Sequence, residues 1–182
     1  EYFDMSPLDS YEGFSRFGNT QNGTGLILSG IGRKNAATAV SHQACETHYA
    51  AWINLGTVTH CSLSAGEPRI AHKIHCVSTR RSWYPPFIFE APCSTATVRT
   101  IGRIPKSFPT DDLYDTEASG FYAAATRFSP HELIHSFKVV NDNQVRPEGT
   151  PFPDTTSRLI KDTLETFNSL MESLQQLSAE LS

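Results

Sequence analysis

The sequence predicts a single α/β domain, and three observations carry that prediction. The chain has 182 residues, of which 38% are hydrophobic and 19% are charged; this is enough for one domain with a buried core and excludes wholesale disorder. Segments with strand patterns alternate with segments in which apolar residues recur at helical spacing, as in α/β proteins. No internal repeat, low-complexity tract or linker divides the chain.

Six segments are predicted to be strands because they are short, apolar or weakly alternating, and bounded by turn residues. They span residues 25–29, 50–55, 70–79, 87–89, 96–101 and 133–140. The turn signal Asn22-Gly23 precedes the first strand, a glycine turn at residues 30–32 follows it, and Gly56-Thr57 closes the second.

Three segments are predicted to be helices. Residues 33–48 are Ala-rich, residues 115–128 carry one apolar face, and a final amphipathic helix begins at Asp154 or Thr155 and ends at Leu181. Because the first helix joins the first two strands, we expect those strands to be parallel neighbours connected by a right-handed crossover.

Composition narrows the classes of function. The net charge of −4 with 15 Lys and Arg residues argues against a surface that coats nucleic acid, and no apolar run is long enough to span a membrane. No signal peptide is visible, and four cysteines are too few for a disulfide scaffold in a chain of this size. We therefore expect a cytoplasmic protein with reduced thiols and with neither nucleic acid nor membrane as partner.

Several His and Cys residues raise the question of a metal site. The segment from His131 to His135 has the HExxH spacing that binds zinc on a helix, but Pro130 precedes it and a strand pattern follows, whereas a zincin needs a long helix and a third ligand. No CxxC pair accompanies the other candidates. These are Cys45, His48, His72, His75 and Cys76. We predict no metal and no cofactor; a metalloprotein that uses His131 and His135 is the competing hypothesis.

Three features lie where α/β proteins place function, at the carboxyl ends of strands or at the start of the next helix. The glycine turn at residues 30–32 directs N–H groups at an anion or a ribose hydroxyl, although tight strand-to-helix packing explains its glycines equally well. Glu117 opens a helix, where the helix dipole alone favours an acid. Asp142 ends a strand, where a turn or capping role alone suffices.

Four short motifs, taken in order along the chain, resemble those of the nucleoside phosphorylase/nucleosidase superfamily. They are Leu28-Ser29-Gly30-Ile31-Gly32, Asn54-Leu55-Gly56-Thr57, Asp115-Thr116-Glu117-Ala118-Ser119-Gly120-Phe121 and Val139-Val140-Asn141-Asp142-Asn143. Two further stretches, Ala71-His72-Lys73-Ile74 and Trp83-Tyr84-Pro85-Pro86, are similar to a nucleosidase-like bacterial branch. The resemblance implies a three-layer αβα sandwich around a mixed, mostly parallel twisted sheet, and a homodimer or higher homo-oligomer.

The resemblance also implies the chemistry, which is cleavage of the N-glycosidic bond of a purine nucleoside or thio-nucleoside through an oxocarbenium-like ribosyl cation. An Asp at the position of Asp142 protonates the leaving base as a general acid, and a Glu at the position of Glu117 holds the ribose hydroxyls. The other implied substrate-binding residues are Gly30, Gly56, Thr57, Phe108, Ser119 and Phe121. Phe108 is included because Ile104 stands near the place where nucleosidases present an aromatic ring to the base.

Water is the predicted nucleophile, because no Arg precedes Gly56-Thr57 to clamp a phosphate as one does in hexameric purine phosphorylases. The alternatives are a phosphate-dependent phosphorylase and a catalytically impaired nucleoside-binding relative. The superfamily's first central strand, and the water-activating acid that follows it, have no counterpart here. The resemblance therefore predicts one domain over residues 1–182 that lacks its first strand, and we assign the water-activating role to no residue.

Overall fold

The computed structural model describes residues 3–11, 13–103, 108–142 and 156–181. The strands are β1 (Ser6–Tyr11), β2 (Phe14–Asn19), β3 (Thr24–Leu28), β4 (Trp52–Thr59), β5 (Pro68–Cys76), β6 (Ser82–Trp83), β7 (Thr95–Thr100), β8 (Leu113–Asp115) and β9 (Ile134–Asp142). The helices are α1 (Arg33–Glu46), α2 (Ala118–Ala125), α3 (Thr156–Asp162) and α4 (Leu164–Leu181). This element content confirms the predicted α/β class.

The first three strands form a small antiparallel sheet of their own, in the order β1-β2-β3. The turn at Asn22-Gly23 folds β3 back on β2, so that Asn19 pairs with Thr24 and Ser15 with Leu28. β3 therefore pairs with β2 and not with β4, and the prediction of two parallel neighbours around α1 is wrong. β3 pairs with β2 because the turn that joins them is only a few residues long, whereas parallel pairing with β4 requires a crossover that includes the whole of α1.

The other six strands form a mixed sheet in the order β6-β5-β7-β8-β4-β9. β9, the last strand in this order, also pairs with β5, the second strand from the other end. The long ladders of this sheet are parallel: β4 runs beside β9 from Trp52 opposite Ile134 to Thr59 opposite Asp142, and β5 runs beside β7. The antiparallel pairings are shorter, and β8 meets β4 only where Tyr114 lies opposite Thr59. The carboxyl ends of β4 and β9 thus lie side by side.

Helices cover both faces of this sheet, which confirms the predicted αβα layering. On one face, α1 and α2 pack residues such as Val40 and Tyr122 against Val58 and Val140. On the other face, α4 packs against β5 and β9. The final predicted helix is divided into α3 and α4, and the buried Thr163 lies between them. None of the helices that the structure describes combines the length and apolar character that crossing a membrane requires.

The predicted strand over residues 87–89 is wrong, and its aromatic side chains explain why. Phe87 and Phe89 both turn towards His135, with ring centroids 5.1 Å from the imidazole in each case. Alternate residues of a flat strand place their side chains on one face and pair through the backbone. Here the two rings enclose a buried histidine instead, and no ladder forms.

The HExxH motif forms no metal-binding helix. His131–Leu133 is a single 3-10 turn, after which β9 begins at Ile134. His131 Nδ1 lies 3.2 Å from the Tyr122 hydroxyl, whereas His135 is fully buried with its Nε2 3.0 Å from the Glu132 carbonyl oxygen. The metalloprotein hypothesis needs both imidazoles on one helical face, and the onset of β9 removes that geometry.

His135 makes the stability of the fold sensitive to acid. Burial lowers the pKa of His135 from 6.5 to about 4, so between these values the unfolded chain binds the proton and the folded chain does not. The contribution of His135 to the free energy of unfolding is therefore complete above pH 6.5 and is lost as the pH falls to 4. It amounts to about 3 kcal/mol. We expect urea denaturation at pH 7.5 and 4.5 to show most of this loss.

The His135→Gln variant, which does not titrate, should lose less stability over the same pH range than the wild type. His72→Gln, at an exposed position, is the matched control and should keep the wild-type pH dependence. An identical pH dependence in His135→Gln and wild type would contradict the assignment.

Candidate active site

Glu117 is held at the start of α2 by contacts that join it to the glycine turn. The Gly32 N–H donates to Glu117 Oε1 at 2.8 Å, and the Thr116 hydroxyl donates to the same oxygen. Gly30 and Gly32 take φ values of 70° and 105°, a region that residues with a side chain rarely adopt. The structure thus brings together two of the predicted features, 85 residues apart in sequence.

The close approach of α1 to α2 depends on Gly120. A Cβ atom built on Gly120 would lie 2.0 Å from the Arg33 carbonyl oxygen, a backbone atom that cannot move without the glycine turn before it. Glycine at this position therefore sets the distance between the glycine turn and Glu117.

We expect Gly120→Ala to lose about 1–3 kcal/mol of unfolding free energy, although alanine favours helix formation, because the clash is with backbone. It should also weaken ligand binding by displacing Gly32 from Glu117. Gly102→Ala is the control, since nothing lies within 4 Å of the added methyl group. Thermal unfolding of both variants measures the difference; equal stability of the two would refute the packing argument.

A buried ion pair between β9 and the end of β8 stabilises the start of α2. Lys138 Nζ lies 3.0 Å from Asp115 Oδ2, and both side chains are at most 1% exposed. The Asp115 carboxylate also accepts the Thr100 hydroxyl and the Ala118 N–H, each at 2.8 Å. Asp115 therefore satisfies a free N–H group of the first turn of α2, directly after Glu117.

Asp142 ends β9 beside the carboxyl end of β4. Its backbone pairs with Thr59, and Thr59 pairs on its other side with Tyr114. Val58 pairs with Val140, so Asn141 is an extra residue and forms a bulge immediately before Asp142. Bulges of this kind are frequent beside active sites because they redirect the chain. The side chain of Asp142 lies outside the described residues.

Phe108 lies at the same end of the sheet. Its ring centroid is 5.3 Å from that of Tyr114, whose backbone neighbour across the sheet is Thr59. Phe108 is half-buried and so keeps part of its ring accessible. The residue predicted to stack on a base is thus placed two strands from the residue predicted to protonate it.

The remaining predicted residues are more deeply placed than the motifs suggest. The prediction that Gly56 and Thr57 form a turn at the end of the strand is wrong: both residues continue β4, because the ladder with β9 extends to Thr59. A Cβ atom on Gly56 would lie 3.3 Å from Lys138 Nζ. Ser119 and Phe121 of α2 are 1% and 4% exposed, so both side chains are buried in the protein, and their substrate-binding role stays a prediction.

Arg33, the first residue of α1, contacts the end of β5. Its Nη1 donates to Cys76 Sγ at 2.8 Å and to the Ser78 hydroxyl at 2.5 Å. Burial raises the pKa of Cys76, but hydrogen bonds from Ser78 and Thr79 outweigh it and lower the pKa to about 6.

One group of side chains has ligand types suited to a metal ion. The side chains of His60, Cys61 and Asp111 place one donor atom each within 4.8 Å of one another. However, His60 Nδ1 accepts the N–H groups of Ser62 and Leu63, and its Nε2 lies 3.2 Å from Asp111 Oδ1. A metal on Nε2 would leave no ring N–H, contrary to the usual pattern for ligating histidines. These residues fit a cap on the end of β4 better than a metal.

Comparison with known proteins gives a consistent structural result. No family model matches the chain, and neither does any curated protein sequence. The methylthioadenosine/adenosylhomocysteine nucleosidase of Helicobacter pylori with a bound immucillin superposes with a TM-score of 0.76 at 9% identity, over 94% of this chain and 90% of that one. Futalosine hydrolase of Helicobacter pylori gives 0.74 at 8%, over 93% and 88%. The nucleosidase of Neisseria meningitidis gives 0.65 at 17%, over 96% and 88%.

The chain has the nucleoside phosphorylase/nucleosidase fold. This confirms the fold that the resemblance implied. At these identities the superpositions establish the architecture, and the roles of individual residues rest on the geometry described above.

Within this nucleosidase fold, the sequence does not predict the ion pair between Lys138 and Asp115 that lies beneath the start of α2. Lys138 is the one formal charge in residues 134–140 of β9. The sequence pattern predicts that Asp115 begins a helix, whereas in the structure it ends β8. A single Lys in a run that is otherwise buried is a signal of a buried partner, since unpaired charges are rarely buried.

Proposed function

We propose that this protein cleaves the N-glycosidic bond of a purine nucleoside or thio-nucleoside, with water as the nucleophile. The observation that carries the proposal is the contact between Glu117 and the glycine turn at Gly32, on a fold whose relatives of known structure include nucleosidases and a futalosine hydrolase. The contact fixes a carboxylate at the start of α2.

Each residue has a chemical task in this proposal. Glu117 accepts hydrogen bonds from the ribose hydroxyls, which orients the sugar and favours its developing positive charge. Asp142 protonates the base as it leaves, because the anion of a purine is otherwise a poor leaving group. Phe108 offers one face of its ring to the base.

The charges around Gly56 favour hydrolysis over phosphorolysis. Lys138 is the cation nearest to Gly56 in the described structure, and its ammonium is already paired with the buried Asp115. A phosphate nucleophile at Gly56 requires a cation that is free to bind it there, whereas water does not.

The test is release of free base from a panel of purine nucleosides by the full-length protein, with and without phosphate. Release without phosphate supports the proposal, and release that requires phosphate replaces hydrolysis by phosphorolysis. If no base is released from any nucleoside, the enzymatic function is wrong. Calorimetric binding of adenosine without turnover would then identify a catalytically impaired relative.

A further inference from the structure

The short segment from Phe108 to Asp112 is held at the carboxyl end of the sheet by its own side chains. The Thr110 hydroxyl lies 2.8 Å from the Tyr114 hydroxyl, and the Thr110 N–H donates to the same oxygen at 3.3 Å. The Asp112 carboxylate accepts a hydrogen bond from Arg99 Nε. These contacts join the segment to β8 and β7, and neither of them reaches β4.

Asp111 supplies the contact with the end of β4. Its Oδ1 lies 3.2 Å from Nε2 of His60, which directly follows β4. The N–H groups of Ser62 and Leu63 donate to His60 Nδ1 at 3.1 and 3.0 Å, so Nδ1 carries no proton and the ring N–H of the neutral imidazole is at Nε2. Nε2 therefore donates to Asp111, which also accepts the Cys61 thiol at 3.3 Å.

The two partners of this hydrogen bond differ in exposure. Only 5% of the His60 side chain is exposed, against 83% of the Asp111 side chain. The imidazole is fixed by its two backbone donors, whereas the carboxylate exchanges His60 for water at a small desolvation cost. Removal of the Asp111 carboxylate therefore breaks the contact and leaves the imidazole in place.

The hydrogen bond also fixes Phe108 relative to Asp142. Thr59, the last residue of β4, pairs with Asp142 on one side and with Tyr114 on the other. The ring of Phe108 packs against that of Tyr114, with centroids 5.3 Å apart. Because His60 directly follows Thr59, its hydrogen bond adds a second connection between β4 and the segment that carries Phe108.

We infer that His60 and Asp111 are positioning residues for base recognition. Their hydrogen bond holds the ring of Phe108 where it stacks on the base. The inference rests on the proposed function, which gives Phe108 that task and makes Asp142 the acid. Stacking on the base acts alike in the ground state and the transition state, so the hydrogen bond governs KM and not kcat.

Steady-state assays of base release test this role in Asp111→Ala, which removes the acceptor at an exposed position. With the best nucleoside of the panel, KM should rise about three- to tenfold, the effect of one lost hydrogen bond, while kcat stays within about twofold. Asp162→Ala, at an exposed position on α3, is the matched control and should keep both constants. A general folding defect would instead lower the active fraction, and with it kcat, at unchanged KM.

His60→Asn separates the two tasks of the imidazole. The amide oxygen of asparagine takes the place of Nδ1 as acceptor of the backbone N–H groups, but the shorter side chain does not reach Asp111. This variant should therefore show the same rise in KM as Asp111→Ala. The double variant should be no worse than either single variant, because both remove one hydrogen bond, whereas two independent defects would multiply.

Calorimetric titration with adenine gives a readout that does not depend on turnover. Asp111→Ala should weaken the binding of adenine about three- to tenfold. In Phe108→Leu, which keeps an apolar side chain but no aromatic ring, the same Asp111→Ala change should have no further effect, since the ring that it positions is gone.

The two proposals fail in different ways. If base is released but KM is unchanged in both Asp111→Ala and His60→Asn, or if kcat alone falls, the positioning role is overturned and the proposed function stands. If no nucleoside reacts, the proposed activity fails and the binding of adenine decides the inference. A loss of affinity in Asp111→Ala that disappears in the Phe108→Leu background then supports it. An unchanged affinity, a loss that persists in that background, or no binding to the wild type overturns it.

Discussion

Asp142→Asn should reduce kcat for base release by about 10²–10⁴, the usual range for loss of a general acid, with little change in KM. Asparagine keeps the size and polarity of the side chain at the end of β9 but has no proton to give to the departing base. Steady-state assays of free base with the best nucleoside of the panel measure both constants.

Asp162→Asn, at an exposed position on α3, is the matched control and should retain wild-type kinetics. The distribution of the loss between the two constants is the decisive result, because a general acid acts in the transition state and a binding residue acts in both states. A loss shared equally between turnover and binding would make Asp142 a binding residue and remove its proposed catalytic role.

Lys138→Met should destabilise the protein by about 3–5 kcal/mol, because it leaves the Asp115 carboxylate buried without its counter-charge. The pair is almost completely enclosed, with 1% and 0% of the two side chains exposed. The variant should also bind nucleoside more weakly, since Asp115 accepts the Ala118 N–H at the start of α2, next to Glu117. Urea denaturation and calorimetry measure the two effects.

The double variant Lys138→Met with Asp115→Asn tests whether charge is the cause. Removing both charges should restore much of the stability, whereas two independent packing defects would add. Lys161→Met, exposed on α3, controls for the substitution itself and should change stability by less than about 0.5 kcal/mol. A Lys138→Met loss as small as that of Lys161→Met would rule out a structural role for the ion pair.

The sequence predicted most elements where a local signal was sufficient. The Ala-rich spacing after Gly32 gave α1 to within two residues of its end, and the order of the motifs indicated the fold. The prediction of which strands pair was wrong, because no local pattern indicates whether β3 pairs with β2 or with β4. The 87–89 segment failed because a buried His135, distant in sequence, competes for its two aromatic rings.

Local patterns predicted part of the candidate site. Glu117 and the glycine turn are each visible as motifs, whereas the hydrogen bond that joins them is a tertiary contact between residues 85 positions apart. The prediction that the domain lacks the first central strand of the superfamily stays a prediction.

The hydrogen bond from Gly32 to Glu117 also has a spectroscopic consequence. A ribose hydroxyl that donates to Glu117 Oε1 must share that oxygen with the Gly32 N–H or displace it. The amide resonance of Gly32 is therefore a built-in reporter of sugar binding, whatever happens to the base. In an ¹⁵N-labelled sample its shift would follow occupancy directly, so that ligands can be ranked before any turnover assay exists.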